Sequence, residues 1–226
     1  MSVFVISDLH LSISEPEKTM SVFHGWENYH DRIKASFTRL IKPEDTVVIG
    51  GDLSWGIDLL EAYEDFNFLH SLPGKKILIK GNHDLWWPTA KKLNEFLAAN
   101  NFTDISFIYN NCIIADEFAV CGTRGWFYDK QDEKIVLREA ARLERSIKAA
   151  AESSKKPLLV LHYPPVYGDY VCRPIFDIIK SHGIKDIYHG HIHGPGRNNA
   201  VQAFEGVKLH LTSADCIDFT PIKIKD

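Results

Sequence analysis

No stretch of this chain approaches the ~20 apolar residues that a membrane-spanning helix requires. Its opening, MSVFVISDLH, has neither the basic start nor the long apolar core of a secretory signal. The four cysteines, Cys112, Cys121, Cys172 and Cys216, never form a C-x-x-C pair. That spacing argues against a zinc knuckle or dithiol redox centre and predicts reduced thiols in or near the core. A cytoplasmic setting is the expectation. No internal repeat, low-complexity tract or linker divides the 226 residues, which predicts one domain over 1–226. Basic residues are not in excess either: 26 Lys and Arg face 30 Asp and Glu, for a formal net charge of -4. The balance counts against nucleic acid or an anionic membrane surface as the partner.

What is present is a rhythm. Short β-branched and aromatic runs at 3–6, 46–49 and 76–79 alternate with helical spacing over 28–41 and 59–71, the pattern of parallel strands joined by helical crossovers. Residues 88–99 read as a further helix opened by Pro88. Runs at 105–109, 112–115 and 118–122 are separated by Asn110-Asn111 and Asp116-Glu117, residues that favour hairpin turns. Helical spacing returns over 133–152 and 173–182, strand character at 158–161 and 186–189, and further strand candidates follow at 201–205, 207–212 and 216–220. Parallel units in both halves, with antiparallel pieces near the middle and end, predict two packed mixed sheets with helices outside.

Five of these runs end in side chains able to hold a metal: Asp8-Leu9-His10, Gly51-Asp52, Gly81-Asn82-His83-Asp84, His162 and Gly190-His191-Ile192-His193. The carboxyl ends of parallel strands share one edge, so residues distant in sequence can converge there. Carboxylate oxygen, imidazole nitrogen and an amide carbonyl suit Mn, Fe or Zn. Two cations about 3.5–4 Å apart would need an anionic bridge, for which Asp52 is the candidate. Asp8/His10 and His191/His193 are i,i+2 pairs, which in extended backbone point to the same side. Gly51, Gly81 and Gly190 let the backbone turn or approach closely.

In this order the five blocks resemble the calcineurin-like metallophosphoesterase family, and they span residues 8 to 193. The resemblance implies a four-layer α/β/β/α fold and a two-metal centre in which a metal-bridging hydroxide attacks a phosphate ester. It implies one metal held by Asp8, His10, Asp52 and His193, and another by Asp52, Asn82, His162 and His191. His83 would then face the scissile phosphate, with Asp84 as its orienting partner. A small phosphorylated substrate, monoester or small diester, is the implied partner. A nucleotide or nucleic-acid phosphodiesterase is the alternative within hydrolases. A non-catalytic metal-binding interaction scaffold is the alternative outside them, and such scaffolds usually lose catalytic residues, whereas His83 and Asp84 are present.

Other residues carry two readings each. Arg124, in Cys121-Gly122-Thr123-Arg124-Gly125-Trp126-Phe127-Tyr128, is either a clamp on a phosphate oxygen or a second phosphate, or the partner of a structural carboxylate. Trp126 and Tyr128 are candidate leaving-group contacts. Trp55, Trp86 and Trp87 lie near Asp52 and His83 in sequence, but packing explains at least one of the adjacent pair, so none enters the catalytic set. Residues 12–27 read as a surface loop or a flap over the site.

Overall fold

The computed structural model describes residues 1–126 and 133–225. Strands β1 (Val3–Ile6), β2 (Thr46–Ile49), β3 (Lys75–Leu78) and β4 (Ile105–Phe107) pair in parallel in that order. A second sheet is built from β5 (Cys112–Ala115), β6 (Phe118–Thr123), β7 (Lys156–Leu161), β10 (Asp186–His189), β11 (Ala203–Phe204) and β12 (Val207–Leu211). Its order is β11-β12-β10-β7-β6-β5, with the four inner strands parallel and both edges antiparallel. Between β7 and β10 a separate hairpin joins β8 (Val166–Tyr167) to β9 (Tyr170–Val171). A last strand, β13 (Ile222–Lys223), returns to the first sheet antiparallel to β1.

The layers follow from the period of two along each strand. Phe4 and Ile6 face outward and join Tyr29, Ile33 and Phe37 of α1 (Tyr29–Leu40), with α2 (Tyr63–Ser71) and α3 (Ala90–Ala99) in the same cluster. Val3 and Val5 face inward and meet Phe118, Val120, Leu158 and Val160 of the second sheet. The alternate residues of that sheet, Ala119, Cys121, Leu159 and Leu161, pack under α4 (Glu133–Ala151) and α5 (Arg173–Ser181). The architecture is therefore the expected α/β/β/α sandwich of two mixed sheets. The four cysteines carry free thiols, two of them buried. Among the described residues, no helix is long and apolar enough to cross a membrane.

Several boundaries differ from expectation for physical reasons. Asp116-Glu117 does turn the β5–β6 hairpin, with Asp116 left-handed at φ 56°. Asn110-Asn111 instead lies where the chain leaves β4 in the first sheet and enters β5 at the far edge of the second. The helix expected from 59 starts at Tyr63, and Leu60 is exposed. Residues 216–220 are not a strand: Ala214–Ile217 is a 3-10 turn, and Asp218 and Phe219 follow with φ of 53° and 54°. Consecutive left-handed residues cannot continue extended backbone, and here they fold Phe219 into the first core. The run 201–205 contracts to the two residues of β11. Tyr128 lies outside the described residues.

Candidate metal centre

The first sheet delivers Asp8, Asp52 and Asn82 just beyond β1, β2 and β3, and the second delivers His162, His191 and His193 beyond β7 and β10. The backbone there is mostly not extended, His193 being an exception. Asp8, His10, Asp52 and His191 all have positive φ, at 60°, 46°, 53° and 71°. The i,i+2 pairs therefore converge through left-handed turns and not through the extended backbone expected of them. Left-handed turns, costing roughly 1–3 kcal/mol each, re-aim the side chains, and such strain collects at functional sites. Glycine makes the close approach possible. A Cβ on Gly81 would sit 2.1 Å from Asp52 Oδ1, and one on Gly190 would sit 2.2 Å from Asp8 Oδ2.

Two groups of potential ligands result. Asp8, His10 and His193 offer atoms within 4.8 Å of one another, as do Asp8, Asp52 and His162. His10 Nε2 lies 3.2 Å from His193 Nε2, and His193 Nε2 lies 3.5 Å from Asp8 Oδ1. On the other side, Asn82 Oδ1 faces His162 Nε2 at 2.7 Å and His191 Nδ1 at 2.9 Å. One oxygen, Asp52 Oδ2, lies between the two sides, 3.8 Å from His10 Nε2 and 3.5 Å from His162 Nε2.

The atoms behind these ligands set their chemistry. His162 Nδ1 lies 3.1 Å from the carbonyl of Gly50, and His193 Nδ1 lies 2.8 Å from Asp215 Oδ1. With the Nδ1–H donated in each case, the Nε2 lone pair is left facing the cluster. The second oxygen of Asp215 accepts from the Gly194 N–H at 2.8 Å, and the Ser213 hydroxyl donates to Asp8 Oδ2 at 2.9 Å. Burial pushes the His191 pKa down to about 3, with His162 adding to the effect, and burial also lowers His162 and His10. Burial raises Asp52 well above the usual carboxyl range, and the neighbouring charge of Asp8 raises it further. For Asp8 burial acts in the same upward sense, but the hydrogen bond and charge of His193 outweigh it and hold the carboxyl low. His193 is correspondingly pushed up to about 10, its burial outweighed by hydrogen bonds to Asp215 and Asp8. In the metal-free chain protonated His193 supplies the positive charge beside Asp8. With that proton gone, imidazole nitrogens, buried carboxyl groups and an amide oxygen turned toward each other fit a divalent cation, which would supply the positive charge instead.

His83 stands beside this cluster, half-buried, with its ring centroid 5.5 Å from that of His10 and 4.5 Å from that of Trp55. Burial, then His162, lowers its pKa. Asp84 does not orient the ring. Its Oδ2 accepts from the N–H groups of Gly81 at 2.7 Å and Asp52 at 2.9 Å, and its Oδ1 accepts from Leu53 at 2.8 Å and from Trp86 Nε1 at 3.1 Å. The short step from His83 to Asp84 turns the carboxylate inward, where it ties the β2 loop to the β3 loop. Burial and the charge of Asp52 push its pKa up to about 6, against the pull of those donors.

Replacing Asp84 by alanine strands three buried backbone donors. The expected loss is on the order of 3–5 kcal/mol of stability, measured by urea unfolding of chelator-treated protein. An Asp84→Ala variant with wild-type stability and a purely kinetic defect would restore the orienting role.

Residues outside the expected set complete the surroundings. Trp55 stacks on His10 with centroids 4.9 Å apart, and Trp26 sits 5.7 Å from His193 and 5.9 Å from His10. Trp86 and Trp87 belong to the first core. Arg124 lines a separate cleft with Lys80, Glu139 and Arg142, and none of the seven ligand candidates lines it.

The family model of the calcineurin-like phosphoesterases matches residues 1–195. The chain belongs to this family. Solved structures with the same fold include a protein of unknown function from Aquifex aeolicus, at 18% identity and TM-score 0.54, covering 98% of this chain and 95% of that one. A protein from Thermus thermophilus is similar at 13% identity and TM-score 0.56, covering 99% and 97%. Phosphopantetheinyl hydrolase from Mycobacterium tuberculosis is similar at 13% identity and TM-score 0.52, covering 99% and 95%. At such identities these likenesses concern the fold. No curated protein matches the chain by sequence. Membership of the calcineurin-like phosphoesterases makes this chain a metal-dependent hydrolase of phosphoesters acting on a small phosphorylated substrate, and divalent metals are what the family generally binds.

Proposed function

We propose that this phosphoesterase works with two metal ions and hydrolyses a small monoester or diester. The observation that carries the reading is the position of Asp52 Oδ2 between His10 Nε2 and His162 Nε2. One carboxylate oxygen is thus shared by two ligand sets: Asp8, His10 and His193 on one side, Asn82, His162 and His191 on the other. When bound, two Mn, Fe or Zn ions supply Lewis-acid polarisation of the phosphoryl oxygens and acidify water.

The chain's own residues do the rest. Asp52 brings the negative charge that two adjacent cations require. Asp215 and the Gly50 carbonyl fix the His193 and His162 rings so that their Nε2 atoms face inward. His83 is placed to hydrogen-bond a phosphoryl or leaving-group oxygen, and its ring is held against Trp55 rather than by a carboxylate. Trp26 and Trp55 exclude water from the His10 side. A non-catalytic scaffold has no need of His83 in this position.

Chelation tests the reading. Because the two large sheets and the described α-helices bury extensive apolar clusters, most of whose members lie outside the ligand loops, the chelated protein is expected to keep its circular dichroism while losing hydrolysis of phosphomonoesters and diesters. Re-addition of Mn²⁺, Fe²⁺ or Zn²⁺ should restore activity with about two ions bound per chain. Full activity in protein shown metal-free by elemental analysis, or saturation at a single ion, would overturn it.

A further inference from the structure

Lys80, Arg124 and Arg142 surround a cleft of about 160 Å³ on the same edge of the sandwich as the metal ligands. Three cations there face one carboxylate, Glu139, which is already engaged: one oxygen accepts from the Thr123 hydroxyl and the other from Arg142 Nη1 at 3.0 Å. Lys80 and Arg124 have no carboxylate partner among the described residues. The Lys80 ammonium donates to the Trp87 carbonyl at 3.5 Å, and the Arg124 guanidinium lies over the Trp126 ring at 4.9 Å. Half-buried cations without counterions are unfavourable unless an anion joins them, and planar guanidinium groups suit phosphate oxygens.

The walls of this cleft are continuous with the ligand loops. Lys80 precedes Asn82 by two residues, a reach of roughly 7 Å along extended chain. On the opposite wall, the Thr123 carbonyl accepts from the His162 N–H at 3.3 Å, and the Arg124 carbonyl accepts from the Tyr163 N–H at 2.8 Å. An anion in the cleft therefore sits beside the metal centre without sharing its ligands.

We propose that the cleft of Lys80, Arg124 and Arg142 is a subsite for a second phosphate of the substrate, distinct from the phosphate that is hydrolysed. The proposal rests on the hydrolase reading above and narrows its substrate class to esters that carry two phosphate groups on one small molecule.

Two measurements test it, one independent of turnover. In metal-loaded enzyme, kcat/KM is compared for butane-1,4-diol bisphosphate and the matched monophosphate. The wild type is expected to favour the bisphosphate, and Lys80→Gln or Arg142→Gln to lower that ratio about tenfold, as loss of one charge-assisted contact implies. Taking the ratio cancels general damage to the enzyme, which matters because Arg142→Gln leaves Glu139 without its cation; Lys80 has no such partner. In parallel, chelator-treated protein is titrated with inorganic phosphate by calorimetry, where the wild type is expected to bind and Lys80→Gln and Arg142→Gln each to bind at least tenfold more weakly. Phosphate binding undiminished in both variants would overturn the subsite. Binding lost in the variants with a substrate ratio near one throughout would show a site for free phosphate and overturn its role in substrate selection. Binding as expected but hydrolysis of neither ester, nor of any other phosphate ester, would sink the hydrolase reading and, with it, the substrate assignment of the cleft.

Discussion

On the two-metal reading proposed above, an Asp52→Asn enzyme is expected to lose roughly 10³-fold or more in kcat/KM, because several kcal/mol of metal-dependent charge stabilisation would depend on the one oxygen shared by both ligand sets. The substitution keeps what Asp52 does for the fold. Its Oδ1 accepts from the His83 N–H at 2.7 Å, and an asparagine carbonyl can do the same. Stability should move in the opposite direction from activity. Burial and the nearby Asp8 raise the Asp52 pKa well above the ordinary 3.8, so the folded, metal-free chain holds this proton more tightly than the unfolded chain does. Stability from that proton is fully present below the unfolded value and is lost as pH rises through the folded one. The chelated wild type should therefore lose stability over that window, and chelated Asp52→Asn should lose less. Metal analysis, kcat/KM and urea midpoints across pH check the three parts together. A metal-replete Asp52→Asn enzyme with undiminished turnover would remove Asp52 from the centre of the mechanism.

The contrast between Asp52 and Asp84 shows where sequence reading works and where it stops. Strand ends followed by Asp, Asn or His were legible because parallel strands share an edge, whatever the details of the turns. Orientation was not. Asp84 adjoins His83 in sequence, yet backbone donors from two loops capture its carboxylate, and hydrogen bonds across 31 and 32 residues leave no local trace.

Asp215 was missed for a related reason, although a signal existed. β12 runs parallel to β10 and ends at Leu211 on the same edge, followed by Thr212-Ser213-Ala214-Asp215. This is a sixth strand end with polar residues after it, obscured by the β-branched and aromatic character of the residues that follow. The two-residue strands β8, β9 and β13 are too short to show any period. The crossing from β4 to β5 looks like a hairpin because Asn-Asn suits both, and only the long-range pairing of β4 with β3 and of β5 with β6 distinguishes them.

His83→Asn is expected to keep the fold and the metals while lowering kcat by about 10²–10⁴ for esters with poor, high-pKa leaving groups, the range of a positioned proton donor. The imidazole is free for such a role in one respect: the carboxylate next to it in sequence is committed elsewhere, so its orientation rests on Trp55 and on the backbone N–H bonded to Asp52. Burial and His162 also lower its pKa in the metal-free chain, which makes the ring neutral and able to donate one N–H at neutral pH. A substrate dianion alongside would draw its pKa upward and favour the protonated form. Proton donation and simple hydrogen bonding to a phosphoryl oxygen differ in how they respond to the leaving group. A donor matters less as the leaving group becomes a better one, so the loss should shrink for an activated aryl phosphate. A hydrogen bond to a non-bridging oxygen stabilises the same charge for every ester and should cost a similar factor throughout. The measurement is a leaving-group series on metal-replete wild-type and His83→Asn enzyme under conditions where chemistry limits the rate. A steeper dependence of log kcat/KM on leaving-group pKa in the variant establishes proton donation, and parallel lines would refute it even if the variant were slow.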